Sequence, residues 1–157
     1  GKSTLLNLLT GRGAVGRCEG EIYFEGKNIV EQQDSYILKS GYMRQDNTGF
    51  LDGLTVFDNL VAGSLSGGQK RRLTLALELL ADRRILFLDE PTSGLDATAS
   101  LDLLRILKRL SRKVTLVVAI HQPRPEIWQL FSHTILVKSG RAVFCGRVSQ
   151  AIGEVAR

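Results

Sequence analysis

Two apolar runs stand out along the chain. Ile85 to Leu88 contains no polar residue, and Val114 to Ile120 contains only Thr115. Neither alternates, and both have strand length, so they predict strands buried on both faces of a sheet. Around them leucines recur at helical spacing. Leu5, Leu6, Leu8 and Leu9 predict a first helix that stops near Gly11. Leu73, Leu75, Leu77, Leu79 and Leu80 predict a largely buried helix that Ser66 caps. Leu103, Leu104, Ile106, Leu107 and Leu110 form an apolar stripe that excludes Arg105, Lys108 and Arg109, an amphipathic helix over 101–110.

Weaker patterns fill the intervals. Residues 20–26 alternate between two glycines and predict a strand and turn; 40–45 predict a strand with a polar end. Thr55 is a good N-cap for a helix beginning over 55–61. A short helix is predicted over 126–131, two closing strands over 134–137 and 142–144, and a last helix from Ser149. Strands alternating with helices imply an α/β fold, mainly a parallel sheet with helices on both faces. In such sheets chemistry gathers at the carboxyl ends of the strands. Asp89 and Glu90 follow the first apolar run, and His121 follows the second.

Composition narrows the class without deciding it. A chain of 157 residues is one domain by size. Its net charge of +5 is compatible with nucleic acid, a membrane surface or an anionic ligand, and most simply marks a solvated basic surface. Lys70, Arg71 and Arg72 read as such a surface, His133 as a surface residue and Trp128 as a packing residue. Cys18 and Cys145 are far apart and lack metal-ligand spacing, which implies a reducing compartment and no disulfide framework. No stretch approaches the length of a membrane span. The chain opens on Gly1 rather than methionine, so its natural start is expected upstream.

Three segments carry chemistry. Gly1-Lys2-Ser3-Thr4 opens the first helix, where backbone amides can hold phosphate oxygens. It matches the last half of the P-loop pattern, in which Lys2 neutralises the β- and γ-phosphates and Ser3 gives its hydroxyl to Mg²⁺. Alone, that tetrapeptide is a weak signal. Asp89 and Glu90 follow a buried strand: Asp89 would bind Mg²⁺ directly or through a water, and Glu90 could polarise an attacking water as general base. Leu65-Ser66-Gly67-Gly68-Gln69 supplies a second helix start with exposed amides and no side chains to block a phosphate. Gln45 after one strand, Ser93-Gly94-Leu95-Asp96 after the acids and His121 after the last buried strand complete a fixed order.

That order resembles the nucleotide-binding domain of ATP-binding-cassette (ABC) proteins, a P-loop NTPase fold with a small antiparallel β part. The resemblance covers nearly the whole chain. Gly1 to Thr4 is similar to the end of the Walker A motif, Gln45 to the Q-loop glutamine, and Leu65 to Gln69 to the ABC signature. Ile85 to Glu90 is similar to Walker B with its catalytic glutamate, Asp96 to the D-loop aspartate, and His121 to the switch histidine. A narrower likeness to the G subfamily, the White/pleiotropic-drug-resistance type, rests on residues 119–124 (AIHQPR), 126–131 (EIWQLF) and 139–146 (SGRAVFCG). Residues 20–26 and 54–60 also resemble that subfamily.

The resemblance implies ATP and Mg²⁺ as ligands. Gly1, Lys2, Ser3, Thr4, Ser66, Gly67, Gly68, Gln69 and Asp96 would bind nucleotide. Ser3, Gln45 and Asp89 would serve the metal, and Glu90, His121 and Gln45 would catalyse. It implies a second nucleotide-binding domain as partner, identical or not, in a head-to-tail pair. It also implies an ABC-G-type transmembrane domain in the same polypeptide, at the cytoplasmic face of a membrane, exporting lipids, sterols or xenobiotics. No nucleic acid is expected. The alternatives are a soluble nucleic-acid-associated ABC ATPase and an inactive fragment of a transporter gene.

The chain also departs from the family pattern. The strand before Gly1, the first P-loop glycine and the adenine-stacking aromatic are missing. A deletion-like seam at 61–64 stands where the family carries a helical subdomain. The expectation is a single truncated domain over 1–157 with marginal stability, because the missing strand is central in the sheet.

Overall fold

A computed structural model of the chain describes residues 1–11, 19–44, 55, 58 and 65–155. Its centre is a parallel sheet of three strands in the order β3 (Ser40–Met43), β4 (Ile85–Asp89) and β5 (Thr115–Ala119). The two apolar runs form β4 and β5, in adjacent register from Ile85 with Thr115 to Asp89 with Ala119. Leu86, Phe87 and Leu88 are almost wholly buried. A strand that must be apolar on both sides cannot alternate, which explains the continuous run of β4; β5 is less covered than expected, with Ala119 buried, Leu116 to Val118 half-buried and Thr115 exposed, because it pairs on one side only among the described residues.

Each face is covered by different helices. On one face Phe87 and Ala119 pack with Leu6 of α1 (Lys2–Leu9), Tyr36 of α2 (Gln33–Lys39) and Ile29. Ile29 follows a hairpin of β1 (Tyr23–Phe24) and β2 (Lys27–Asn28). On the other face Met43, Leu86 and Leu88 pack with Leu75 of α3 (Gly67–Leu80) and with Leu103, Leu104 and Leu107 of α4 (Ala97–Leu110). Tyr36 donates its hydroxyl to the Leu9 carbonyl and meets Phe24 edge-on at 5.1 Å. These contacts fix the C-terminal end of α1 against α2.

The direction of α1 follows from that tie. Lys39, one turn beyond Tyr36, accepts the Arg84 amide at 2.8 Å, just before β4 begins. The C-terminal end of α1 therefore lies toward the amino ends of the strands. Its start points toward their carboxyl ends, and the helix, about 12 Å long, matches a five-residue strand of about 13 Å. On the opposite face, Glu78 near the end of α3 sits at Gly41, the second residue of β3. The start of α3 therefore also points toward the carboxyl edge.

The remainder is α5 (Pro125–Trp128), an antiparallel hairpin of β6 (His133–Lys138) and β7 (Arg141–Arg147), and α6 (Val148–Val155). Both hairpin turns, Glu25-Gly26 and Ser139-Gly140, have positive φ at both residues, the type I′ geometry that suits strand twist. Among the described residues β5 pairs only with β4, and β6 only with β7.

Several expectations shift. α4 begins at Ala97, four residues before its leucine stripe, because Asp96 caps it through Oδ1 to the Ala99 amide at 2.8 Å. α5 is a single turn, shorter than 126–131. In α3, Leu75 is buried but Leu73 and Leu77 are only half-buried, so the helix is amphipathic rather than largely buried over those residues. α2 has no apolar period of its own; Tyr36 is its buried anchor. The helix begun by Thr55 lies mostly outside the described residues. Its cap is present: the Thr55 amide donates to Asp58 Oδ2 at 3.2 Å, and the Asp58 amide to Thr55 Oγ1 at 3.2 Å. The seam at 61–64 and Gln45 lie outside the described residues.

Candidate nucleotide site at the carboxyl end of the sheet

The site is framed by β4, β5 and two helix starts. Asp89 ends β4 and is 5% exposed; its Oδ1 has no hydrogen-bond partner among the described residues. A buried carboxylate oxygen without a donor is costly, on the order of 1–3 kcal/mol or more for a charge. Such a group is a candidate contact for a cation or a hydrogen-bond donor. Glu90 follows with φ +45°, and its amide donates to the Ala119 carbonyl at 2.9 Å. The ladder is thus carried one residue past β4, while the backbone turns left-handed and sends the Glu90 side chain off the strand direction. Pro91 is buried behind it.

On the neighbouring strand His121 is exposed, and Gln122 has φ +46°. Two non-glycine residues in the left-handed region, on adjacent strand ends, cost roughly 1–2 kcal/mol each. Strain of that kind gathers at functional sites. Sequence reasoning singled out Glu90 and His121 by residue type, and both lie at this edge. It did not single out Gln122, because nothing in the local pattern marks a left-handed glutamine.

The four residues Gly1, Lys2, Ser3 and Thr4 begin α1, where the first amides of the helix lack helical acceptors. Ser3 and Thr4 are exposed and Lys2 is half-buried. A Cβ built on Gly1 would lie 3.8 Å from Val137, which places this start beside β6. The second helix start is organised by a capping box. The Ser66 amide donates to Gln69 Oε1 at 2.8 Å, and the Gln69 amide to Ser66 Oγ at 3.3 Å. Gln69 is therefore engaged with the helix cap. Gly67 and Gly68 form the first turn, and a Cβ on Gly68 would sit 3.5 Å from Leu95. The signature-like helix start thus rests on the Ser93 to Asp96 turn, a meeting that sequence spacing could not reveal.

The fold brings Asp89, Glu90 and His121 to one edge and directs the α1 start to that edge. It holds Ser66 to Gln69 on the opposite face of the sheet. Asp96 lies next to that second start, with Oδ1 committed to capping α4.

Residues 21–124 match the family described as "AAA domain, putative AbiEii toxin, Type IV TA system". The chain is 33% identical to ABC transporter G family member 4 of Dictyostelium discoideum, over 93% of this chain and 24% of that protein. It is 32% identical to the Broad substrate specificity ATP-binding cassette transporter ABCG2 of Bos taurus, over 98% of this chain and 29% of that one. The chain thus spans about a quarter of the length of these relatives. The first alignment runs over 193 positions while using 93% of a 157-residue chain, so about four dozen positions of that relative have no counterpart here. A solved ATP-binding cassette of an ABC transporter superposes with a TM-score of 0.77 over 98% of this chain and 79% of its own, at 19% identity, which establishes the fold. With two thirds of its length matched by the AAA-domain model, the chain belongs to that family, and over nearly its whole length it is similar to the ABC transporters of the G family named above.

Proposed function

We propose that the chain is the ATP-hydrolysing motor segment of an ABC-G-type membrane exporter, working as one half of a head-to-tail pair of nucleotide-binding domains. The observation that carries this reading is the buried Oδ1 of Asp89, without a partner among the described residues, at the carboxyl edge toward which the α1 start is directed. The donor set suits a hard divalent cation: a carboxylate oxygen from Asp89, a hydroxyl from Ser3 and the Gln45 amide oxygen. Mg²⁺ held there would neutralise charge on the β- and γ-phosphates.

The roles of the remaining residues follow from their chemistry. Lys2 pairs with phosphate as a point charge, and the amides of α1 give directed hydrogen bonds. Glu90 orients the attacking water and takes its proton, and His121 hydrogen-bonds the γ-phosphate. The starts of α1 and α3 lie on opposite faces of the sheet, separated by two packed layers of about 10 Å each. One phosphate cannot reach both within a single chain. This separation supports a nucleotide shared between two copies, with Ser66, Gly67 and Gly68 of the second copy closing the site.

The four dozen positions absent from the chain support a lost helical subdomain, which we assign to the seam at 61–64. Among the described residues no helix is long and apolar enough to cross a membrane. On this reading a membrane part handling lipid, sterol or xenobiotic cargo is expected in the share of the relatives' length that the chain does not span. The test is Glu90→Gln in a chain extended with the family's P-loop strand and membrane segment. Mg²⁺-ATP should still bind while turnover falls by roughly a hundredfold or more. Unchanged turnover would remove Glu90 from the proposed role.

A further inference from the structure

A second charged site lies at the opposite end of the sheet. A cleft of about 350 Å³ opens between the turn before β4 and the turn after α4, lined by Arg84, Arg112, Lys113, Ser111, Thr115 and Glu25 among others. The backbone that carries its cations is tied down. The Thr115 amide donates to the Arg84 carbonyl at 3.0 Å, the Lys113 amide to Leu110 at 2.8 Å and the Arg84 amide to Lys39 at 2.8 Å. Val114, between Lys113 and Thr115, is buried in the core.

The charges in this cleft do not balance. Its carboxylate, Glu25, is engaged by Lys39 at 2.8 Å. The hydrogen bond from Lys39 holds Glu25 below the usual carboxylate range, with the charges of Lys39 and Arg84 adding to the effect. The ion pairs among the described residues are Lys39–Glu25, Arg83–Glu78 and Arg105–Asp102, so none involves Arg84, Arg112 or Lys113. Three cations held about one concave volume repel one another, and a dianion bound between them relieves that repulsion. Guanidinium forks and hydroxyl donors match tetrahedral phosphate oxygens.

We propose that this cleft, formed by Arg84, Arg112 and Lys113, binds a phosphate-bearing ligand at the amino end of the sheet. The cleft is set apart from the nucleotide site by the length of β4, about 13 Å, so both can be filled together. The phosphate can come from a soluble phosphorylated metabolite or from an anionic lipid headgroup.

The experiment uses the whole 157-residue chain labelled with ¹⁵N and titrated with inorganic phosphate. Saturable shifts of the Arg84, Arg112, Lys113 and Thr115 amides are expected. They should persist in Lys2→Ala, which disables the other phosphate site, and weaken about tenfold or more in Arg112→Glu/Lys113→Glu. Circular dichroism of the double variant should match that of the parent chain. In a second arm the chain is floated with phosphatidylcholine vesicles with or without phosphatidic acid. Flotation that requires phosphatidic acid and is lost in the double variant assigns the ligand to a lipid headgroup. Amide shifts with free phosphate and no flotation assign it to a soluble molecule. Absence of saturable shifts together with absence of flotation overturns the proposal, as does a response that survives the double variant or disappears with Lys2→Ala.

Discussion

The two ends of β4 lie about 13 Å apart and are built on opposite terms. At the carboxyl end Asp89 keeps a buried oxygen without a partner among the described residues, and Glu90 and Gln122 hold left-handed backbone. At the amino end the structural groups are tied. Arg83 donates from Nε to Glu78 at 3.1 Å and from Nη1 to the Ile37 carbonyl at 3.4 Å, and it also reaches the Leu38 carbonyl. Gly41 has no room for even a methyl group. The contrast teaches where stability and chemistry reside. The amino end anchors the sheet, and the carboxyl end spends part of that stability on groups that a ligand would satisfy.

Substitutions at the two ends should therefore move stability in opposite directions. The largest effect is expected at Gly41. A Cβ there would clash with Leu86 Cδ2 and stand 2.5 Å from Glu78 Oε2. Leu86 is 1% exposed and packed on all sides. Gly41→Ala should cost about 3 kcal/mol in urea unfolding; a loss below about 1 kcal/mol would show that the amino end is looser than its packing implies. Next, Arg83→Ala removes a partly buried guanidinium that holds α2 to the end of α3, and should cost about 2 kcal/mol.

The carboxyl end should respond the other way. Glu90→Gly lets a left-handed position adopt its geometry without a Cβ, and should stabilise the ligand-free chain by about 1 kcal/mol. The same change should abolish turnover in the extended chain. Asp89→Asn removes a buried formal charge and should leave ligand-free stability unchanged or raised by up to about 1 kcal/mol, while Mg²⁺-dependent nucleotide affinity falls. Destabilisation by either variant would erase the contrast between the two ends.

The smallest effect concerns Glu25 and Lys39, an exposed pair near the amino end. The folded-state pKa of Glu25 is lowered from its ordinary 4.5, chiefly by the hydrogen bond from Lys39. Its contribution is therefore present above that value and is lost as pH falls through the lower folded value. Glu25→Gln should remove only this small acid-side slope from a stability profile.

Much of this contrast was legible before folding. The apolar runs at 85–88 and 114–120 located β4 and β5, and Thr55 and Ser66 marked caps where the backbone needs them. α2 was not legible, since a single tyrosine anchors it and no period announces it. Gln122 was not legible either, because a positive φ at a glutamine is imposed by the strand end and not by its neighbours in sequence. The cleft cations were not singled out, since isolated basic residues carry no local signal. Their convergence depends on β4 and β5 being adjacent, although Arg84 and Arg112 are far apart along the chain.

The sequence by itself determined the buried strands, the helix starts and the order of acid, amide and imidazole side chains, because periodicity, capping and residue chemistry are local properties. The tertiary structure alone decided which face each helix covers, that α1 and α3 start on opposite faces, that Asp89 loses water without gaining a donor, and that three cations share one cleft. Burial and charge balance depend on residues distant in sequence, and only the packed sheet brings them together.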